Sequence, residues 1–465
     1  MVLSAQDANT RSASADATRA LVTWAAGVAA ADIPDAILRR AALVLSDNLA
    51  ATVAAESEPE VQAAQAKLIE RSTAAEATVF NRTRARADRY AAASANGTAA
   101  CWCELDEGYR VAPAHAGAYI LPALLAEAEA TGADILQVLR ALTLAYEIVG
   151  RSAHAFAFAG MTVHPHAAFG TLGAAAGVGL LRGYDADTLL ATVSAGASMV
   201  FAGPYGHAID GALVRNLWTG ISAWSGLRAA DMAPLGLGGI AESLYDVFVG
   251  CFNTGAEPAL LTDGLGERFA IASGYHKLFA CCQYAHSAVE ASLALRGKLA
   301  AAGRTPADVA EIKVETHPRG LTLTEVEPPT VLSAKFSMPH ALAAVAARGT
   351  GGQASFGRDT LDDAAIGRLR RAVRLEPFAP IAPWPNDRPG RVTWRFADGE
   401  SWSETIENAR GGSDQPFSTT ELTDKIDALT RAAFPAMPEV LKGLIADPQA
   451  AGATRWRDLV AQMTK

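Results

Sequence analysis

Apolar residues recur at helical spacing through the first half of the chain. In DAILRRAALVLSDNLAATVAA, Ile37, Leu38, Ala41, Leu45 and Leu49 share one stripe, and DILQVLRALTLAYEIVGR repeats it with Ile135, Val138, Leu139, Leu142 and Ile148. That spacing is the mark of a helix with one buried face. Entry signals accompany the runs: Pro34 and Asp35 in DIPDA, Asp185 and Asp187 in YDADTLL, residue types that cap a helix or suit its first turn. The first 260 residues read as helix after helix.

The pattern changes near residue 262. AEIKVETHP alternates as a strand through Ile312 and Val314, and RVTWRFADGESWSETI pairs two alternating runs across a turn at Asp398 and Gly399, the signature of a hairpin. Between them SAKFSMPHALAAVAARG is helical, and TELTDKIDALTRAAF returns to helix afterwards. The expected architecture is mainly α with an α+β second domain: a large helical domain over residues 1–264, completed by 401–465, and a smaller α+β domain over 265–400. No internal repeat is evident.

Composition narrows the function classes. Half of the 465 residues are hydrophobic and 19% are charged, which supports ample core and excludes a disordered chain. The net charge of −9 leaves no basic surface on which nucleic acid or an anionic membrane would condense. The first residues, MVLSAQDANTRSASADATRALVTW, lack a basic start leading into an unbroken apolar core, and runs such as GTLGAAAGVGLL are too short to span a bilayer. A cytoplasmic protein without nucleic-acid or membrane partners is expected. The five cysteines, Cys101, Cys103, Cys251, Cys281 and Cys282, form no CxxC pair and read as reduced, mostly buried thiols.

Chemistry concentrates in two places. ELDEGYRVAPAHAG puts Glu104, Asp106 and Glu107 into four positions and follows them with His115. Seven of the nine histidines, His115, His154, His164, His166, His207, His276 and His286, lie between residues 115 and 286, among glycines, prolines and acids where loops run. His164, in GMTVHPHAAFGTLGAAAG, precedes a Gly- and Ala-rich helix. There it would act as a cap, or as a neutral acid or base, since the helix start disfavours the charged imidazole. Two histidines two apart on a helix diverge, and no HExxH pattern accompanies them, so no metal site is expected.

Six segments in order, ANGTAACWCELDEGY with AHAGAYILPALLAEAE, LAYEIVGR, VHPHAAFGTLGAAAG, GALVRNLWTGISAWSGLRAA, YHKLFACCQYAHSAVEA and AKFSMPHALAA, resemble the 2-methylcitrate dehydratase (MmgE/PrpD) family. That family also holds cis-aconitate decarboxylase and iminodisuccinate epimerase. The resemblance covers nearly the whole chain. It implies a cofactor-free active site between a helical and an α+β domain, a small anionic polycarboxylate as substrate, and a homodimer. It casts Glu104 as the first acid of the family's acidic loop, His115 and His164 as its two histidines, and Arg215 and Lys277 as the cations that meet substrate carboxylates.

The chain departs from the family at three of these positions. Gly108 stands where related dehydratases and decarboxylases carry Thr, Arg215 where they carry Lys, and Cys282 where a His is common. Arginine does not give up a proton, so it cannot replace a lysine acid or base. Removal or delivery of a proton beside a carboxylate survives these changes. Epimerisation needs two proton-transfer groups on opposite faces of one carbon, and Tyr146 is the expected partner to His115 or His164. The expectation is therefore an isomerase of the iminodisuccinate epimerase type, ahead of a 2-methylcitrate-type dehydratase, with a non-catalytic helical binding protein third.

Overall fold

The computed structural model describes residues 4–465. Helices form close to where the capping residues put them. Asp35–Ala54 follows Pro34, and Ala186–Ser198 opens at Asp185, which accepts from the Thr188 N–H. Ile135–Ala155 opens at Asp134 with a reciprocal cap: the Asp134 carboxylate accepts from the Gln137 N–H while the Gln137 side chain accepts from the Asp134 N–H. Such pairs satisfy amides that the first turn leaves without partners.

Pro165–Leu181 is the central helix, buried along nearly its whole length against Ala116–Thr131, Ile135–Ala155, Ala186–Ser198 and Val214–Met232. It has no polar face, as expected of a helix enclosed on all sides. Its small residues set how near its neighbours come. A Cβ on Gly226 would sit 2.7 Å from the Ala175 nitrogen, and one on Gly170 would sit 2.7 Å from the Ser222 Cβ, so any larger residue would push Val214–Met232 away. That helix carries Arg215, which makes this close packing part of the site.

The helical pattern lapses between residues 233 and 275, where the chain makes only the short turns Ala233–Leu235, Ser243–Tyr245, Asp246–Cys251, Pro258–Leu261 and Ala270–Ser273, then pairs briefly as a strand at Gly274–Tyr275. Pro234 and Pro258, with glycines at 236, 238, 239, 255, 264 and 266, interrupt the periodic apolar positions more often than a helix tolerates.

The second domain is built on a four-stranded sheet in the order Val373–Pro377, Val309–Thr316, Gly390–Phe396, Ser401–Ile406, the first pair parallel and the rest antiparallel. The hairpin turns at Gly399, whose φ of +90° suits glycine, and sets Trp394 opposite Trp402. Helices His286–Leu299 and Met338–Arg348 pack on this sheet. Two features differ from the sequence reading. The edge strand VRLEP is too short and too charged to show alternation, and the sheet continues past residue 400 to Ile406. Helix Thr419–Thr430, closed by a Ser418–Glu421 capping box, then returns to the first domain, where Lys425 Nζ donates to Asp47 Oδ1 at 2.6 Å and to the Leu105 carbonyl at 2.7 Å.

No helix among the described residues is long and apolar enough to cross a membrane. All five cysteines are free thiols, buried except for Cys251.

Candidate active site

The acidic loop and the YHK segment are far apart in sequence, and a two-residue antiparallel ladder joins them. Gly108 pairs with Tyr275 and Tyr109 with Gly274. This brings Lys277, two residues beyond the ladder, against the acids: its Nζ lies 3.2 Å from Glu104 Oε2 and 3.6 Å from Asp106 Oδ1. Glu104 adopts φ +52°, a left-handed conformation that costs a non-glycine residue about 1–2 kcal/mol. In return its carboxylate bridges Lys277 and the guanidinium of Arg215, both almost wholly buried. Burial pushes the Glu104 carboxyl up, but Arg215 and Lys277 outweigh it and hold the group below the usual carboxylate range. Burial works against the Lys277 ammonium too, and Asp106 with Glu104 more than offsets it. Lys277 is thus a fixed cation.

Asp106 orients His115. His115 Nδ1 is 2.7 Å from Asp106 Oδ2 and 3.0 Å from the Glu107 carbonyl. Both partners are acceptors, because burial of Asp106 is outweighed by Lys277 and His115, which keep its carboxylate ionised. Nδ1 therefore carries a proton, and in the neutral ring Nε2 keeps a lone pair.

His164 has donors facing both ring nitrogens. It caps helix Pro165–Leu181, with Nδ1 accepting from the His166 N–H at 3.2 Å. Burial, helped by Arg215, drives its pKa well below the ordinary value, so the ring is neutral. On the other side of the ring Arg215 Nε donates to His164 Nε2 at 3.4 Å. Arg215 is anchored by donating from one guanidinium nitrogen to the Cys101 carbonyl at 3.2 Å and to Asn216 Oδ1 at 3.0 Å.

Glu104, His115, His164, Arg215 and Lys277 share one small cavity, of about 50 Å³, with Arg388 and Tyr275 from the second half of the chain. Cys282 is on its wall with a neutral thiol, which burial pushes up to about 11. Tyr146 does not join them. Its side chain is fully buried and donates to Glu107 Oε1, behind the cavity wall. Tyr275 is at the cavity instead, with Tyr109, Tyr205 and Tyr284, and its position accounts for Gly108: a Cβ at 108 would come within 2.7 Å of the Tyr275 ring. The space that a threonine would need is filled by a phenol from the neighbouring strand.

Sequence reasoning left Tyr275, Arg388, Tyr205 and the orienting role of Asp106 unassigned. Asp106 was legible in the acidic run, whereas Arg388 in PNDRPGRV and Tyr205 in GPYGH carry no local signal. The remaining histidines between 115 and 286 serve other ends. His276 bonds Asp47 at 2.7 Å and an Arg40 nitrogen at 2.8 Å, His286 meets the Cys281 carbonyl at 3.1 Å, and His207 stacks on Trp218. His166 lies close to Cys101 and Asp106, with ligand atoms within 4.8 Å of one another. Asp106 is already committed to His115 and Lys277, and the Arg215 and Lys277 charges would repel a cation there.

Glu107 gives a pH signature. It is enclosed by Tyr146 and the Gly117 N–H, and burial pushes its carboxyl from 4.5 up to about 7. Between those values the folded protein keeps a proton that the unfolded chain has lost. The stabilisation is complete below pH 4.5 and disappears as pH rises through about 7. The loss is on the order of 3 kcal/mol. Urea unfolding from pH 5 to 8 should show this decline in the wild type and a flatter profile in Glu107→Gln; parallel profiles would remove Glu107 as its source.

Residues 19–258 match the MmgE/PrpD N-terminal domain and residues 279–444 the MmgE/PrpD C-terminal domain. Among curated relatives, a cis-aconitate decarboxylase of Aspergillus terreus is 27% identical over 322 residues, covering 64% of this chain and 63% of that protein. The cis-aconitate decarboxylase-like protein oryM of Aspergillus oryzae is 27% identical over 293 residues, covering 59% of this chain and 60% of its own length. The match thus spans about three fifths of the relatives' length.

Proposed function

Because the chain belongs to the MmgE/PrpD family, we propose that it is a lyase of small polycarboxylates, removing a proton beside a carboxylate without a cofactor. The observation that carries this reading is a histidine oriented by a carboxylate and set beside buried cations in one cavity. His115, oriented by Asp106, presents a lone pair at Nε2 and is the base. Arg215, which also donates to the neutral His164, and Lys277 are the cations that meet the carboxylate, where charge develops as the proton leaves. Three buried cations, Arg215, Lys277 and Arg388, line the cavity where an anion would sit, with Glu104, Asp106 and Asp387 as their carboxylate partners. The relatives named as cis-aconitate decarboxylases support a lyase over an isomerase.

Epimerisation is the second reading, and one observation favours it. Tyr275 stands at the cavity with its ring centroid 6.4 Å from that of His115, and could return a proton where Tyr146 cannot. Proton NMR in D2O beside an ultraviolet assay for conjugated alkene separates the two. The lyase is expected to change the carbon skeleton or release water from a hydroxylated or unsaturated tricarboxylate. Deuterium placed on the α-carbon of an inverted amino- or imino-dicarboxylate, with no such product, would replace the lyase reading by the epimerase. No turnover across both series would leave a carboxylate-binding protein.

Activity is expected to survive exhaustive chelation, since the cationic side chains supply the charge stabilisation. Loss restored by one added metal would reverse that. A homodimer also belongs to this reading. Val214, Leu217, Ile221 and Trp224, 44%, 38%, 43% and 42% exposed, recur at spacings of three and four along the helix that carries Arg215. Light scattering tests it, with a monomeric mass as the contrary result.

A further inference from the structure

A second, larger cavity adjoins the first. It measures about 420 Å³ against about 50 Å³, and the two share Pro113, Pro165, Tyr205 and Tyr284 on their walls. The small cavity concentrates charge; the large one does not. Its walls are mainly apolar, with Val111, Phe158, Met161, Val163 and Phe169 from the helical domain facing Pro318 and Thr322 of the second domain. Phe158 is held edge-on against Phe169, with centroids 6.3 Å apart, and Phe169 is itself buried. Phe158 and Val163 lie on the segment joining Ile135–Ala155 to Pro165–Leu181 and are half-buried against the helical core.

From this continuity we infer that the substrate carries a hydrocarbon chain, which lies in the large cavity while its carboxylate head occupies the small one. The inference rests on the proposed carboxylate site and specifies its substrate class. A small di- or tricarboxylate would leave the apolar chamber filled with water beside the charged pocket. An alkyl substituent would displace that water and gain apolar burial without entering the cationic wall. His154 and Arg319 also line the chamber, with Arg319 donating to the hydroxyl of Tyr284 at 3.2 Å on the wall that the two cavities share.

Binding of succinate, 2-butylsuccinate and 2-octylsuccinate by calorimetry tests this, using the whole chain. Each methylene buried should tighten binding by about three- to fourfold, so the butyl compound should bind at least tenfold more tightly than succinate. Gly160 is exposed on the chamber wall, and a Cβ there would meet no atom within 4 Å. Gly160→Phe should therefore leave folding and succinate binding unchanged while cancelling the gain from the chain. Met161→Asp, which puts a charge on the same wall, should cancel it by a second route. Succinate bound with no gain from the chain, or a gain untouched by both variants, would overturn the chamber assignment and leave the head site standing. Arg215→Gln should abolish binding of all three compounds. Alkylsuccinate binding that is indifferent to Arg215→Gln, or no binding by any member, would overturn the head site and the inference with it.

Discussion

His115→Asn is expected to lower turnover by about two to four decades, the usual contribution of a positioned general base, with little change in folding stability. The side chain is at the cavity wall and not in the core, so its removal opens no large void. Asp106→Asn should approach the same loss by another route. Asp106 accepts the Nδ1 proton of His115 from 2.7 Å, and an amide in its place can offer an N–H to that nitrogen instead. The ring would then move its proton to Nε2 and cease to be a base toward the cavity. Asp106 is a positioning residue, and its test needs more than activity. Nitrogen NMR of His115 should report the Nδ1–H tautomer in the wild type and a shift toward Nε2–H in Asp106→Asn, with KM changed much less than kcat. A slow Asp106→Asn enzyme with the wild-type tautomer would show that the carboxylate acts in some other way. A fully active His115→Asn enzyme would displace His115 from the mechanism.

Arg215→Ala is expected to destabilise the protein at neutral pH by about 3 kcal/mol, near the lower end of what breaking a buried ion pair costs. Glu104 would lose one of its two cations and keep Lys277 at 3.2 Å, which limits the damage. Arg215→Lys should recover part of the loss. A single ammonium cannot reach Glu104, the Cys101 carbonyl and Asn216 together as the guanidinium does. The double variant Arg215→Met with Glu104→Gln should be more stable than Arg215→Ala, since no buried charge is left short of a partner. Urea unfolding of the four proteins measures this. A loss under about 1 kcal/mol in Arg215→Ala would mean that the pair is hydrated and Arg215 is free to serve substrate alone. Substrate kinetics on the variants that fold should show KM rising more than kcat falls, because the guanidinium holds the carboxylate before and during proton transfer.

The sequence alone determined the periodic parts of the molecule. Helix faces such as Ile135 to Ile148, the caps at Asp134 and Asp185, and the hairpin about Gly399 follow from local rules, because each depends on residues within a few positions of one another. The resemblance of six motifs also marked Glu104, His115, His164, Arg215 and Lys277 as candidates, and all five line one cavity. What sequence could not decide was which side chains meet. Tyr146 lies on a helix face as periodic as any other, yet its hydroxyl is turned to Glu107 and away from the cavity. Tyr275 reaches the cavity because a two-residue ladder with Gly108 crosses more than 150 positions of chain. Arg388 enters from a loop with no motif, and the chamber beside the site exists only where walls from both domains face each other. The Nδ1–H tautomer of His115 likewise comes from a carboxylate and a carbonyl that both accept from that nitrogen. Periodicity encodes which face of an element is buried, but the protonation state of an imidazole is set by the two or three atoms around it, and only tertiary packing brings those atoms there.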